Sequence, residues 1–80
     1  MRKRILVVDD DEMNLKRTRM ILEKHYNVLL ADSGREALEK IKREKIDLIL
    51  LDIAMPLMDG IETFRRMKES SVEIPVIFLT

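Results

Sequence analysis

Asp47-Leu48-Ile49-Leu50-Leu51-Asp52 is the most apolar run in the chain, four aliphatic residues closed at each end by a carboxylate. A strand with one wet face alternates apolar and polar residues. A short run without alternation suits a strand covered on both faces, as in a parallel sheet, so this run is read as the central strand. Arg4-Ile5-Leu6-Val7-Val8, stopped by Asp9, Asp10 and Asp11, has the same character. Between the two lie a helical pattern over 12–24, with Leu15, Thr18, Ile21 and Leu22 on one stripe, and a second strand over 27–31. Ser33-Gly34-Arg35-Glu36 has capping-box spacing, in which the Ser33 hydroxyl accepts from the Glu36 amide and Glu36 reaches back. It opens a helix running to about 44, with Ala37, Leu38 and Ile41 facing inward. A loop over 53–60 leads to a helix carrying Ile61, Phe64 and Met67, and Pro75-Val76-Ile77-Phe78-Leu79 is a fourth strand with proline at the tolerated first position. Strands alternating with helices of about 10–13 residues imply right-handed βαβ units and a parallel sheet. The fold class is α/β on this pattern alone.

Composition narrows the function. Eighty residues, 46% hydrophobic and 38% charged, describe one small soluble domain over 1–80. Fifteen Lys+Arg balance fifteen Asp+Glu, which argues against a sequence-independent nucleic-acid binder, since such a protein needs basic excess to neutralise phosphates. No apolar run approaches the roughly 18–20 residues of a membrane span. The basic start Met1-Arg2-Lys3-Arg4 followed by Ile5-Leu6-Val7-Val8 resembles a secretory signal only superficially, because three aspartates end the apolar stretch too early. Without cysteine there are neither disulfides nor thiolate metal sites, and a reducing cytoplasm is the expected location. Glu12–Lys16, Glu36–Lys40, Glu39–Arg43 and Glu62–Arg66 stand four apart with Glu first, the favourable order on a helix.

Ligands of parallel α/β sheets bind beyond the carboxyl ends of the strands. Asp9 and Asp10 end the first strand and Asp52 the third. If those strands are neighbours, about 4.8 Å apart, three carboxylates converge. Like charges so close destabilise one another unless protonated or bridged by a cation. A cluster of oxygens with neither His nor Cys favours a hard ion, Mg²⁺ before Ca²⁺ or Mn²⁺, and a metal there would let a carboxylate act as nucleophile toward a phosphoryl group. The plainer reading makes Asp9, Asp10, Asp11 and Asp52 solvated strand ends or caps of the following helices. Two hydrophobic strands both ending in Asp favour the metal site. With only Gly34 and Gly60, the chain has no phosphate-cradling glycine loop, and nothing like G-x-G-x-x-G follows the first strand.

These residues resemble the receiver domain of two-component response regulators. Ile5-Leu6-Val7-Val8-Asp9-Asp10 looks like the family's first strand with its acidic pair. Leu50-Leu51-Asp52-Ile53-Ala54-Met55-Pro56-Leu57-Met58-Asp59-Gly60 resembles the phosphoacceptor strand and loop, and Pro75-Val76-Ile77-Phe78-Leu79-Thr80 the fourth strand with its switch hydroxyl. The resemblance implies a flavodoxin-like sheet of order 2-1-3-4-5, truncated here to 2-1-3-4. It implies that Asp52 accepts a phosphoryl group from a sensor histidine kinase. By the same resemblance Asp10, Asp52 and the Ala54 carbonyl ligate Mg²⁺, Asp9 acts through a metal-bound water, and the Thr80 hydroxyl turns to the phosphoryl oxygen. The chain is then a signalling phosphoacceptor rather than an enzyme. Pro56 stiffens the loop, and Gly60 permits a tight turn or positive φ where the third helix begins. Met55 and Met58 are packing residues, and His25 is an exposed partner of a helix C-terminus.

Length qualifies the resemblance. The family's domain continues through a fourth helix, a fifth strand and a fifth helix, and with them an essential lysine. Three helices cannot cover four strands on both faces, so apolar sheet and an unpaired edge are expected to remain, and with them homodimerisation or higher self-association and impaired phosphorylation. Two alternatives stand beside this reading. One is an inactive or engineered half-domain that folds by self-association. The other is a haloacid-dehalogenase-type phosphatase built on Asp9-x-Asp11, which leaves Asp52 without a role and has Met13 where Thr or Val is expected.

Overall fold

The unalternating runs become the two inner strands of a four-stranded parallel sheet. A computed structural model describes residues 2–53, 60–70 and 72–79. Its elements are β1 (Arg4–Val8), α1 (Glu12–Leu22), β2 (Asn27–Ala31), α2 (Gly34–Arg43), β3 (Leu48–Asp52), α3 (Gly60–Glu69) and β4 (Val76–Leu79). The strand order is β2-β1-β3-β4, with Val8 level with Ala31 and Leu51, and Asp52 level with Leu79. This is the flavodoxin-like arrangement that the family resemblance implied.

Alternation along the strands sorts their side chains into two layers. Leu6, Val8, Ile49 and Leu51 point to one face, where Ala37 of α2 and Met67 of α3 close over them with Leu38, Ile41 and Phe64. Ile5 and Val7 point to the other, where they meet Leu15 and Leu22 of α1. Leu6, Val7, Val8, Ile49 and Leu51 are all fully buried. Burying such a side chain contributes about 1.5–3 kcal/mol, which favours the central places in the sheet that helices can cover.

Local signals set the element ends. The Ser33 hydroxyl accepts from the Glu36 amide at 3.2 Å, as the capping box requires. Glu36 reaches back to the amide of Asp32 at 3.0 Å, one residue before the cap. Lys40, rather than pairing with Glu36, donates to the Leu30 carbonyl, pinning α2 to β2. Glu12–Lys16 and Glu62–Arg66 do form, at 3.5 and 3.6 Å, on exposed surface where such pairs add little. Pro75 stands just before β4, the position where a missing N–H is tolerated, and its carbonyl accepts from the Ile49 amide at 3.0 Å.

Two helix faces differ from the sequence expectation. Helix α1 ends at Leu22, and Ile21 is exposed, because only the line through Leu15 and Leu22 rests on the sheet. In α3 the inward line is Gly60, Thr63 and Met67 beside Phe64, while Ile61 turns to solvent. The glycine takes the position of closest approach, and the helix rolls to put it there. Phe64 meets Phe78 of β4 edge-on, with ring centroids 5.2 Å apart.

The α1 face is covered over β1 and β2 but thinly over β3 and β4. Leu48 and Leu50 are half-buried there, and Ile77, level with Leu50, is 51% exposed. A cleft of about 240 Å³ opens at the same face between Lys3, Ile5, Tyr26, Asp47 and Leu48. Among the described residues, no helix is long and apolar enough to cross a membrane. The cap geometry gives a direct test. Ser33→Ala should lower unfolding stability by about 1 kcal/mol, measured as a fall in urea midpoint at unchanged slope.

Candidate functional site

The parallel register of β1 and β3 brings their carboxyl ends to the same edge of the sheet, with Val8 beside Leu51. The next residue on each strand is an aspartate. Asp9, Asp10 and Asp52 each place a carboxylate oxygen within 4.8 Å of the other two. Asp9 is buried, 8% exposed; Asp52 is half-buried and Asp10 exposed. At that distance two unit charges repel by about 0.9 kcal/mol even in a water-like medium, and by more where burial lowers the dielectric. The three oxygens, with neither nitrogen nor sulfur among them, form a donor set that fits a hard divalent cation such as Mg²⁺.

The run Asp9-Asp10-Asp11 divides its labour. The Asp9 amide donates to the Ala31 carbonyl at 3.1 Å, which keeps this residue's main chain in the sheet. Its Oδ1 accepts from the Asp11 amide at 2.9 Å. Asp11 caps α1, accepting from the amides of Met13 at 2.9 Å and Asn14 at 3.4 Å. The capping role that the sequence left open to all three acids falls to Asp11 alone, and Asp9 and Asp10 are left facing Asp52.

Asp52 is held through its main chain. It lies level with Leu79 in the ladder, and the Ile53 amide donates to the Leu79 carbonyl at 3.3 Å. From the other side the Gly60 amide donates to the Ile53 carbonyl at 2.8 Å. A Cβ on Gly60 would lie 2.2 Å from the Asp52 carbonyl oxygen and 2.6 Å from the Ile53 Cα. Of the two roles the sequence offered for this glycine, a tight turn or positive φ, the second does not hold, since its φ is not in the left-handed region; what its surroundings require is clearance. The only sequence signal was an Asp-Gly pair at the start of a helix, which fits either explanation. Ala54, Pro56 and Thr80, the other residues assigned to the site from sequence, lie outside the described residues, as do Met55 and Met58. His25 sits just past α1, edge-on to Tyr26, on an exposed turn.

Comparison with known proteins identifies the family. Residues 5–80 match the family model of the response regulator receiver domain. The chain is 42% identical over 81 residues to the alkaline phosphatase synthesis transcriptional regulatory protein PhoP of Bacillus subtilis, covering 100% of this chain and 34% of that protein. It is 44% identical over 77 residues to the transcriptional regulatory protein ZraR of Escherichia coli K12, covering 95% of this chain and 18% of the relative. The chain thus spans about a third of the first of these and less than a fifth of the second. Among solved structures, the N-terminal domain of a response regulator receiver protein from Methanoculleus marisnigri superposes with a TM-score of 0.92 at 44% identity, over 96% of this chain and 65% of that one. The chemotaxis protein CheY4 of Vibrio cholerae gives 0.89 at 28% identity, over 98% and 68%. With the family's sheet order, its acidic strand ends and a match along nearly its whole length, the chain belongs to the receiver domains of two-component response regulators.

Proposed function

We propose that this chain is one receiver domain, over 1–80, that accepts a phosphoryl group on Asp52 from the phosphohistidine of a sensor kinase in the cytoplasm. The observation that supports this reading is the meeting of Asp9, Asp10 and Asp52 at one sheet edge in a chain of this family. Asp10, Asp52 and the Ala54 carbonyl would hold Mg²⁺, with Asp9 acting through a water. Bound there, the ion supplies positive charge that offsets both the crowded carboxylates and the phosphoryl oxygens. The transfer is a displacement at phosphorus. An Asp52 carboxylate oxygen forms the new O–P bond as the P–N bond to the donor imidazole breaks, and the electron pair returns to the imidazole nitrogen. The product is an acyl phosphate, and the Thr80 hydroxyl then turns to hydrogen-bond a phosphoryl oxygen.

The chain's own residues prepare this step by position. The core holds β1 and β3 adjacent, and the Asp11 amide holds one Asp9 oxygen in place. The relatives' regulatory names belong to proteins several times longer, so their outputs are not assigned to this segment, and with zero net charge it is read as making no direct contact with nucleic acid. The domain is a signalling acceptor rather than an enzyme. The phosphatase alternative is disfavoured because it gives Asp52 no part in a cluster it helps to form.

A second reading concerns assembly. Ile77 is half exposed beside half-buried Leu48 and Leu50, which supports self-association of this chain through the thinly covered sheet face. Light scattering at high micromolar concentration should give a mass above the 9.5 kDa of one chain, and Ile77→Lys should lower it. A clean monomer for the parent chain would end the idea. For the site, labelling by a small phosphodonor with Mg²⁺ should be lost in Asp52→Asn and on adding EDTA; labelling of Asp52→Asn at the parent rate would exclude Asp52 as acceptor. In EDTA, Asp10→Asn should raise unfolding stability by about 0.5–1 kcal/mol as like charge is removed. In millimolar Mg²⁺ the order should reverse, because the parent gains binding energy that the variant loses. Urea titrations in both buffers check the sign.

A further inference from the structure

We propose that Gly60 is a positioning residue for Asp52, its bare Cα being what allows α3 to hold the main chain of the phosphoacceptor in place; this rests on the reading of Asp52 given above. The atoms that a Gly60 Cβ would meet are the Asp52 carbonyl oxygen at 2.2 Å, the Ile53 Cα at 2.6 Å and the Asp52 carbonyl carbon at 2.9 Å. All three are backbone, so no side chain can swing aside to make room. Either α3 retreats or the end of β3 moves.

Retreat is opposed from within the helix. Gly60, Thr63 and Met67 form its buried line, and Met67 is packed into the core with Leu51 and Ile49. Movement of β3 is opposed by the ladder, where Asp52 is level with Leu79 and the Ile53 amide bonds to the Leu79 carbonyl. The Gly60 amide completes the arrangement by donating to the Ile53 carbonyl at 2.8 Å. Asp52 thus leaves a main chain fixed by β4 on one side and by the start of α3 on another, and its carboxylate reaches Asp9 and Asp10 from a fixed point. A displaced Asp52 Cα carries the attacking oxygen off line, and misplacement of about 1 Å can cost about a hundredfold in rate.

The test pairs Gly60→Ala with Phe64→Leu, a half-buried change one turn further along α3 that leaves the Asp52 contact intact. Both are assayed under conditions where circular dichroism shows them folded. At saturating Mg²⁺ and small phosphodonor, Gly60→Ala should lose at least about tenfold in maximal labelling rate, with little change in the donor concentration giving half that rate. Phe64→Leu should stay within about threefold of the parent. Equal losses in the two variants would mean that Gly60 matters only for stability, which overturns the proposal. If Gly60→Ala does not fold, or if the parent itself is not labelled and the reading of Asp52 fails, amide hydrogen exchange in the parent decides. The Gly60 and Ile53 amides should be protected to within about tenfold of each other. Exchange of Gly60 faster by a hundredfold or more would show that α3 does not clamp the strand end.

Discussion

Everything in this domain follows from β1 and β3 lying side by side at the centre of the sheet. Each is a run of aliphatic residues with no polar alternation, and neither can be satisfied at an edge. Their central place lets the helices bury Leu6, Val7, Val8, Ile49 and Leu51, at about 1.5–3 kcal/mol each. Their adjacency forces Asp9, Asp10 and Asp52 together at a cost of about 0.9 kcal/mol or more per pair. The apolar term is the larger, so the fold can hold three like charges at one edge. The chemistry of the site is a local conflict sustained by the core beneath it.

The two sheet faces answer this demand unequally. Helices α2 and α3 close one face with Ala37, Leu38, Ile41, Phe64 and Met67, and Phe64 reaches across to Phe78 of the outer strand. On the other face α1 rests on β1 and β2 through Leu15 and Leu22, leaving Ile77 half exposed. The acidic edge sits where these two layers meet. Its Asp9 side is set by the turn into α1, and its Asp52 side by the start of α3.

Much of this was legible in the residues. Apolar runs stopped by acids gave β1 and β3, Ser33 and Glu36 marked the start of α2, and Asp9, Asp10 and Asp52 stood out as strand ends. What escaped the sequence were matters of contact rather than of type. Ile21 and Ile61 lie on plausible apolar stripes, yet both are exposed, because helical spacing does not say which arc of a helix a particular sheet will meet. Glu36 satisfies the capping-box spacing, yet its carboxylate takes the Asp32 amide, since that choice turns on the path of the chain before the helix. Gly60 could be read as a turn glycine because clearance to the Asp52 carbonyl, far back along the chain, leaves no local trace.

The three consecutive aspartates show why residue type alone underdetermines a site. As a sequence they are equivalent, and any of them could have capped α1. The backbone separates them. Asp9 is still in the ladder with Ala31, so its side chain can turn inward and is buried. Asp11 has extended backbone at the cap position, and its carboxylate is committed to the first amides of α1. Asp10 is exposed between them. One of Asp9's oxygens is already engaged by the Asp11 amide, which orients the second without neutralising the group. The helix start thus takes one acid for its own stability and uses that residue's amide to aim another at Asp52. The same residue serves the helix with its carboxylate and the acidic edge with its main-chain amide.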